Sequence, residues 1–226
     1  MYLLRCDGPR LARAFLFSMT VSVAATAVGA AQASLDFDQI FSSKGEARQL
    51  HYRATYQLDG KPHTLEVWRD RDLQLKRRTD DALETILSRP AATAEWQMTV
   101  LDLKRHIRTD ISHTNLARIG HFTDWFSQSH SLTRPIGSYQ LTKIAAPALN
   151  QPALERCQWY RLQQQERASA ICWSEKLKLP LLIADAGNHV QWRVVAADRQ
   201  PLTTTQFHID DRGFAKNDAN DDIQAD

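Results

Sequence analysis

Apolar residues alternate with polar ones along much of this chain, and this period of two is the feature that most restricts its fold. Between residues 50 and 58, every second side chain is apolar: Leu50, Tyr52, Ala54, Tyr56 and Leu58. Successive side chains of a strand point to opposite faces, so the pattern predicts a half-buried β-strand. Asp59-Gly60 follows directly, and both residues tolerate the positive φ angles of a tight hairpin turn.

Further short strands are predicted at intervals of about 8–12 residues, with turn-forming residues between them. We expect strands at 63–69, 72–79, 82–88, 96–100, around 107, and at 156–163, 166–174, 181–184, 190–196 and 202–209. Strands joined by short turns pair as neighbours, so this order predicts an antiparallel meander.

Two segments have apolar residues at helical spacing instead. The first is 35–43, with Ser34 as a candidate N-cap, and the second is 114–129, which contains Gly120. A helix inside a β meander covers one face of the sheet, because its apolar side must be buried. The predicted fold class is therefore mainly β with helices: a curved antiparallel sheet covered by one or two helices.

The first 33 residues predict export from the cytoplasm. Arg5, Arg10 and Arg13 precede an apolar stretch over 14–28, and Ala31-Gln32-Ala33 ends the segment in small residues. These are the parts of a signal peptide cleaved after residue 33. The apolar stretch is shorter than the roughly 20 residues that span a bilayer, although an uncleaved anchor is the alternative. The protein is thus expected to be periplasmic or secreted.

Cleavage leaves a single β-rich domain over 34–213 and an acidic flexible tail over 214–226. Removing residues 1–33 takes three Arg and one Asp from 28 basic and 26 acidic side chains, which leaves 25 of each. A mature chain without net basic charge gives no reason to expect a nucleic-acid partner, and membrane contact is expected to be peripheral at most. The basic residues between 68 and 78 could meet lipid head groups or an acidic partner, but a solvated sheet face is favoured.

Cys6 leaves with the signal peptide, and the mature chain keeps Cys157 and Cys172. An even number of cysteines in an oxidising compartment predicts one structural disulfide. A two-residue turn at 164–165 would place the two cysteines directly opposite each other in a hairpin.

The same hairpin carries apolar groups on both faces. Trp159 is predicted to share a face with the cysteine pair, whereas Tyr160, Ile171 and Trp173 occupy the other face. This arrangement suits a sheet that is covered on both sides or that lines a cavity.

The chain has six Trp residues, which by default fill the core but can also line apolar ligand cavities. The rings expected to line a ligand-binding cavity under the 114–129 helix are Trp96, Trp125, Phe126 and Trp192.

Motifs for catalysis or metal binding are not found in the sequence. The eight His residues have no metal-ligand spacing, and the sequence contains neither a Gly-Xaa-Ser-Xaa-Gly elbow nor a phosphate-binding glycine loop. We therefore assign no catalytic residue, metal site or cofactor. His113 and His121 flank the central helix and are the residues on which a hydrolase site would depend, although polar positions on a half-exposed helix explain them more simply.

Several short segments together define a layout that resembles a known family. They are the Tyr-Gln-Leu-Asp-Gly-Lys hairpin, a Trp-containing helix in mid-chain, Cys-Gln-Trp-Tyr, and Ile-Cys-Trp-Ser leading to Leu-Pro-Leu-Leu-Ile. Over roughly residues 35–215 this layout resembles the periplasmic half-barrel superfamily of lipoprotein carriers (LolA/LolB-like), which includes the sensor domain of RseB-like regulators. The resemblance implies a half-barrel whose concave apolar face, under helices, accommodates acyl chains or an apolar partner segment. The acceptor and release residues of the carriers have no counterparts that we can place in this chain, so transport is not implied.

Three hypotheses of function follow. The leading one is a non-enzymatic periplasmic binding protein that accommodates an apolar ligand, a lipid or an acylated segment, on the concave sheet. The first alternative is a protein-interaction module of an envelope regulatory or assembly system, and the second is a secreted hydrolase.

Overall fold

The computed structural model describes residues 34–92, 94–120 and 122–222. The predicted signal peptide, its cleavage site after Ala33 and the side chain of His121 lie outside the described residues. The strands belong to one curved, unclosed sheet with few helices, which confirms the predicted fold class. They are β1 Gln49–Leu58, β2 Lys61–Asp70, β3 Gln74–Thr79, β4 Leu83–Ser88, β5 Gln97–Asp102, β6 Ile107–Ile111, β7 Gln140–Lys143, β8 Gln158–Gln164, β9 Arg167–Ser174, β10 Leu179–Asp185, β11 Val190–Asp198 and β12 Ala215–Asp218.

The sheet consists of two meanders that meet at its centre. Its strand order is β12-β6-β5-β4-β3-β2-β1-β11-β10-β9-β8-β7, and every pair is antiparallel except β12 with β6. The predicted turn at Asp59-Gly60 is confirmed, with φ angles of 50° and 72°. The pairing of β1 with β11 brings residues that are far apart in sequence together at the middle of the sheet.

The predicted disulfide between Cys157 and Cys172 is present, with the two Cα atoms 5.4 Å apart. The predicted register of its hairpin is wrong by two residues, because the chain turns at 165–166 and Trp159 is the residue opposite Cys172. Cys157 immediately precedes β8 and reaches Cys172 diagonally. A shift of two residues keeps every side chain on its face, so the predicted assignment of faces still holds.

The helices are shorter than predicted. The first, α1 (Phe37–Ile40), is capped by the side chain of Asp36 rather than by Ser34. The single helix expected at 114–129 is two helices, α2 (His113–Ile119) and α3 (Trp125–His130). Gly120 has a φ of 153°, which ends α2, and a new N-cap at Asp124 starts α3.

The prediction of a strand at 202–209 is wrong. This segment contains a 3₁₀ turn at Thr204–Phe207, and Gln206 Oε1 accepts a hydrogen bond of 2.7 Å from the N–H of Thr203. A hairpin partner beside β11 has no place in the sheet, because β11 already pairs with β1 and β10. Phe207 is instead buried, and the 3₁₀ turn packs against β3.

The segment 214–226, predicted to be a flexible acidic tail, contains two elements among its described residues. They are β12, which pairs in parallel with β6, and α4 (Ala219–Asp222). An ion pair of 2.7 Å between Arg108 of β6 and Asp211 holds the chain just before β12. Residues 223–226 lie outside the described part of the chain.

The core has two clusters. The first joins the sheet interior to Leu116 of α2 and Trp125 of α3, and it also contains the cysteine pair and Trp159. The second covers the other face of the β8–β9 hairpin with aromatic rings of α1 and α3, and its buried members are Phe37, Phe41, Phe126, Leu132, Leu141, Tyr160, Ile171 and Trp173. Both faces of this half of the sheet are therefore covered.

Candidate ligand-binding cleft

A half-open cleft of 590 Å³ lies between the middle of the sheet and the segment that carries α3. Its floor comes from four adjacent strands, β1, β2, β3 and β11, and its roof from the end of α2 to the residues after α3. The lining residues are Tyr56, Leu65, Arg77 and Trp192 on the floor and Gly120, Phe122, Ser127, Gln128, Ser131 and Thr133 on the roof. Ligand sites commonly enclose about 300–1,000 Å³, so the cleft has room for a small molecule.

The floor is aromatic where β1 meets β11. Tyr56 and Trp192 are directly opposite each other, and their ring centroids are 6.5 Å apart. The indole N–H of Trp192 donates a hydrogen bond of 2.8 Å to the carbonyl of Pro180. Because its one polar atom is already bonded, the ring offers an apolar surface to the cleft without leaving an unsatisfied donor.

Hydrogen bonds from the floor hold the roof. The hydroxyls of Tyr52 and Ser131 are 3.0 Å apart, and Arg77 Nη1 donates a 3.3 Å bond to Gln128 Oε1. Ser131 ends α3 in the left-handed conformation, with a φ of 52°. The position of α3 over the sheet is thus set by side chains of β1 and β3.

A buried charge network lies beside the cleft under α3. The side chain of Glu46 contacts Arg69 Nη2 at 3.1 Å and His130 Nε2 at 2.8 Å, and Arg69 Nη1 donates to the carbonyl of Ser129 at 3.1 Å. Burial lowers the pKa of His130, and the hydrogen bond to Glu46 only partly opposes this. Burial alone would raise the pKa of Glu46, but the hydrogen bond from His130 and the charge of Arg69 outweigh it and lower that pKa.

The basic residues predicted to cluster on one hairpin are divided between the two faces. Arg69 and Arg77 lie on the face that carries the cleft, whereas Lys76 and Arg78 point the other way and both pair with Glu84. The alternation of the strand separates them, so no continuous basic surface forms along this hairpin.

Of the four rings predicted to line a cavity, the structure places only Trp192 on the wall of this cleft. Trp96 and Trp125 pack against each other at 5.4 Å between ring centroids, and Arg89 lies 4.3 Å from the centroid of Trp125. Phe126 is in the second core cluster.

Sequence reasoning did not select the other lining residues. For Tyr56 a usable signal existed, because the alternation of β1 already placed this ring on the buried face. The sequence gives no such signal for Arg77, Phe122 and Ser131, because whether these side chains line a cleft depends on how α3 lies over the sheet.

The histidines proposed for a hydrolase site are not brought together by described contacts. His113 meets the ring of Trp96 edge-on at 4.5 Å, and its Nδ1 has no hydrogen-bond partner within the described residues. Among those residues no cluster of three or more His, Cys, Asp or Glu is arranged to hold a metal ion. In the same part of the chain, no helix has the length and apolar character needed to cross a bilayer.

Comparison with known proteins gives distant structural similarity only. No protein-family model matches the sequence, and no curated protein matches it. Among solved structures, the crystal structure of MucB matches with 13% identity over 76% of this chain and 60% of the MucB chain, at a TM-score of 0.39. The chain thus spans less than two thirds of MucB. At this level of similarity the match assigns neither a family nor a function, and the half-barrel resemblance stays a prediction.

Proposed function

We propose that this chain is an exported, non-enzymatic binding protein that holds the apolar part of a ligand in the cleft under α3. One observation carries the proposal: a half-open cleft of 590 Å³ with Tyr56, Leu65 and Trp192 on its floor. Water in such a cleft contacts apolar surface, and a ligand that displaces it gains roughly 25 cal/mol for each Å² buried.

Export is supported by the disulfide and by the N-terminal pattern. Disulfides persist in oxidising compartments such as the bacterial periplasm and are rare in the cytosol. The Cys157–Cys172 bond joins the start of β8 to β9, and the predicted signal peptide would deliver the chain to such a compartment. The lipid or acylated segment predicted from the sequence is compatible with the shape of the cleft.

Tryptophan fluorescence tests the proposal. The chain over residues 34–226 would be titrated with dodecanoate and, separately, with 1-dodecanoylglycerol, and we expect at least one of them to shift the emission. The shift should disappear in Trp192→Phe and remain in Trp68→Phe, because Trp68 lies on the opposite face, stacked on His51 at 5.2 Å. No shift with either amphiphile, or an unchanged shift in Trp192→Phe, contradicts a ligand in this cleft.

A protein-interaction module remains the second candidate, and the rim of the cleft favours it. Phe122, which lines the cleft, is 41% exposed, and Ile119 at the end of α2 is 47% exposed, so this segment presents apolar surface to solvent. A photo-crosslinking residue at 119 should then capture a protein partner in the cell envelope, whereas the same residue at 195, on the other face of the sheet, should not. Equal capture at both positions contradicts an interface at the rim.

A further inference from the structure

We propose that the ligand of the cleft is a single-chain amphiphile whose anionic head group, a carboxylate or a phosphate, binds Arg77 while its acyl chain lies across the sheet towards Trp192. This inference rests on the proposed function, because it names the ligand class of the same cleft.

Arg77 is a cation without an acidic partner among the described residues. Within the described part of the chain its guanidinium donates one hydrogen bond, to the amide oxygen of Gln128, whereas Arg69 on the same face is paired with Glu46. A guanidinium has five N–H donors in a planar fork that matches carboxylate and phosphate oxygens. None of the described residues that line the cleft is acidic, so an oxyanion entering it is attracted by Arg77. Asp124, which bonds the lining residue Ser127, is itself paired with Arg134 at 3.0 Å.

Two hydroxyls beside Arg77 can add hydrogen bonds to an oxyanion. Ser131 lines the cleft, whereas Tyr52 is buried behind it. When the Tyr52 hydroxyl donates the hydrogen bond that the two share, the O–H of Ser131 is left to donate into the cleft. Thr133 also lines the cleft, and its hydroxyl has no hydrogen-bond partner within the described residues. The hydroxyl of Ser127, in contrast, is already used by Asp124.

Two arginines act on the Tyr52 hydroxyl, which is bonded to Ser131 at this end of the cleft. Burial raises the pKa of the Tyr52 hydroxyl, while its hydrogen bond to Ser131 and the charges of Arg77 and Arg69 act in the opposite direction. The charge of Arg77, which has no carboxylate partner among the described residues, also favours an anionic head group next to Ser131.

The geometry of the floor fits one extended chain. Arg77 is on β3 and Trp192 on β11, with Leu65 of β2 and Tyr56 of β1 between them. Three inter-strand steps of about 4.8 Å separate β3 from β11. Arg77 is in register with Val67 and Tyr52, whereas Trp192 is in register with Tyr56, four residues further along β1. The floor therefore runs diagonally, and about 20 Å separates the backbone positions of its two ends. A ligand with its charge at one end and its apolar part at the other matches this order of residues.

A peptide fits the floor less well. The strands β1, β2, β3 and β11 are interior strands, and each is paired on both sides. Their backbone groups therefore have no spare hydrogen bonds for an added strand. A peptide laid across this apolar floor would bury amides without partners, at a cost of about 1–3 kcal/mol each. An acyl chain carries no such groups.

Binding of matched amphiphiles tests the inference. The probes are dodecanoate and dodecyl phosphate, the neutral 1-dodecanoylglycerol, inorganic phosphate, and a peptide of similar length with apolar residues and a free carboxylate. In the wild-type chain we expect both anionic amphiphiles to bind on the order of ten-fold or more tighter than the neutral one. Inorganic phosphate and the peptide should compete weakly, because one lacks the chain and the other carries backbone amides.

Variants at Arg77 identify the group responsible. Arg77→Gln should remove the preference for the anionic amphiphiles over 1-dodecanoylglycerol, and Arg77→Lys should restore part of the preference. Arg53→Gln is the matched control, because Arg53 is an exposed arginine that lines a separate pocket on the other face. Near-ultraviolet circular dichroism of each variant establishes that it is folded.

The outcomes separate this inference from the proposed function. Equal binding of neutral and anionic amphiphiles, with no effect of Arg77→Gln, overturns the head-group assignment but leaves an apolar ligand in place. Competition by the peptide as strong as by dodecanoate overturns the amphiphile in favour of a protein segment. Tight binding of inorganic phosphate alone overturns the role of the chain. If no probe changes the emission of Trp192, both proposals are wrong.

Discussion

The Nη2 atom of Arg69 lies 3.1 Å from Oε2 of Glu46, and the two side chains are 0% and 6% exposed. The same guanidinium donates to the carbonyl of Ser129 in α3. One cation therefore links strand β2, the segment before β1 and the helix over the cleft, so the stability of the roof should depend on this pair.

We expect Glu46→Gln to destabilise the protein by about 3–5 kcal/mol, because it leaves the buried charge of Arg69 without its counter-ion. Urea unfolding followed by circular dichroism measures this. Glu66→Gln is the control: it weakens a half-exposed pair with His51, at 2.8 Å, and should cost at most about 1 kcal/mol. Similar losses in the two variants would mean that the buried pair has no special role.

Stability should fall as the pH is lowered from neutral. The folded-state pKa of His130 lies below its ordinary value of 6.5, so below that value the unfolded chain takes up a proton that the folded chain does not. The lowered pKa of Glu46 adds a second loss of stability as the pH falls below 4.5. The free energy of unfolding, measured in urea between about pH 7 and pH 5.5, should therefore decrease, and His130→Gln should flatten this slope.

His189→Gln is the control for the pH experiment, because the side chain of His189 is 78% exposed in a turn. Its slope should match that of the unmodified chain. A slope that persists in His130→Gln would show that other groups cause the acid sensitivity.

Loss of the Cys157–Cys172 bond should cost about 3 kcal/mol, because the bond closes a loop with a sequence separation of 15 residues. The comparison is between the oxidised chain and Cys157→Ser/Cys172→Ser, both unfolded in urea. Adding reductant should destabilise the former and leave the latter unchanged. An unchanged midpoint for the oxidised chain under reductant would contradict a stabilising bond.

The outer edge of β7 is covered by the residues that would begin the mature chain. Leu35 N–H donates to the carbonyl of Leu141 at 2.8 Å, and the N–H of Leu141 donates to Ser34 Oγ at 3.0 Å. Deleting residues 34–35 should cost about 1–2 kcal/mol and expose an unpaired strand edge that promotes self-association.

Size-exclusion chromatography and urea unfolding test this deletion. Ser34→Ala, which removes one of the two bonds, is the milder control and should stay monomeric if the starting chain is. A deletion variant that elutes and unfolds like the starting chain would show that the edge needs no cover.

Expression of the full chain in a bacterium should yield a mature protein that begins at Ser34. Intact mass and N-terminal sequencing of the envelope fraction check this prediction. Replacing Ala31 and Ala33 with bulky residues should block cleavage at this site, since small residues are required there. A protein recovered with residues 1–33 attached would favour the anchor instead.

The prediction from sequence was most accurate where the information is local. The alternation over β1, the Asp59-Gly60 turn and the strands up to β6 follow from side-chain period and turn chemistry. The single helix at 114–129 and the strand at 202–209 were wrong, because Gly120 and an already complete pairing of β11 outweigh the apolar pattern. Of the four rings predicted to line a ligand cavity, Trp192 lies on the wall of the cleft, and its contact with a ligand stays a prediction.

The sequence by itself determined the class of fold, the two faces of each strand and the pairing of the two cysteines. The first two depend on the alternation of apolar residues and on the turn residues, and the third depends on the number of cysteines in the mature chain. Only the tertiary structure decided that residues 56, 65, 77 and 192 share one floor, since that requires β1 to lie between β2 and β11. It also decided that Arg69 meets Glu46 while Arg77 stays without a carboxylate among the described residues. Two arginines on the same face of neighbouring strands look alike in sequence. They differ in the structure because a distant segment places a carboxylate beside Arg69 and, among the described residues, none beside Arg77.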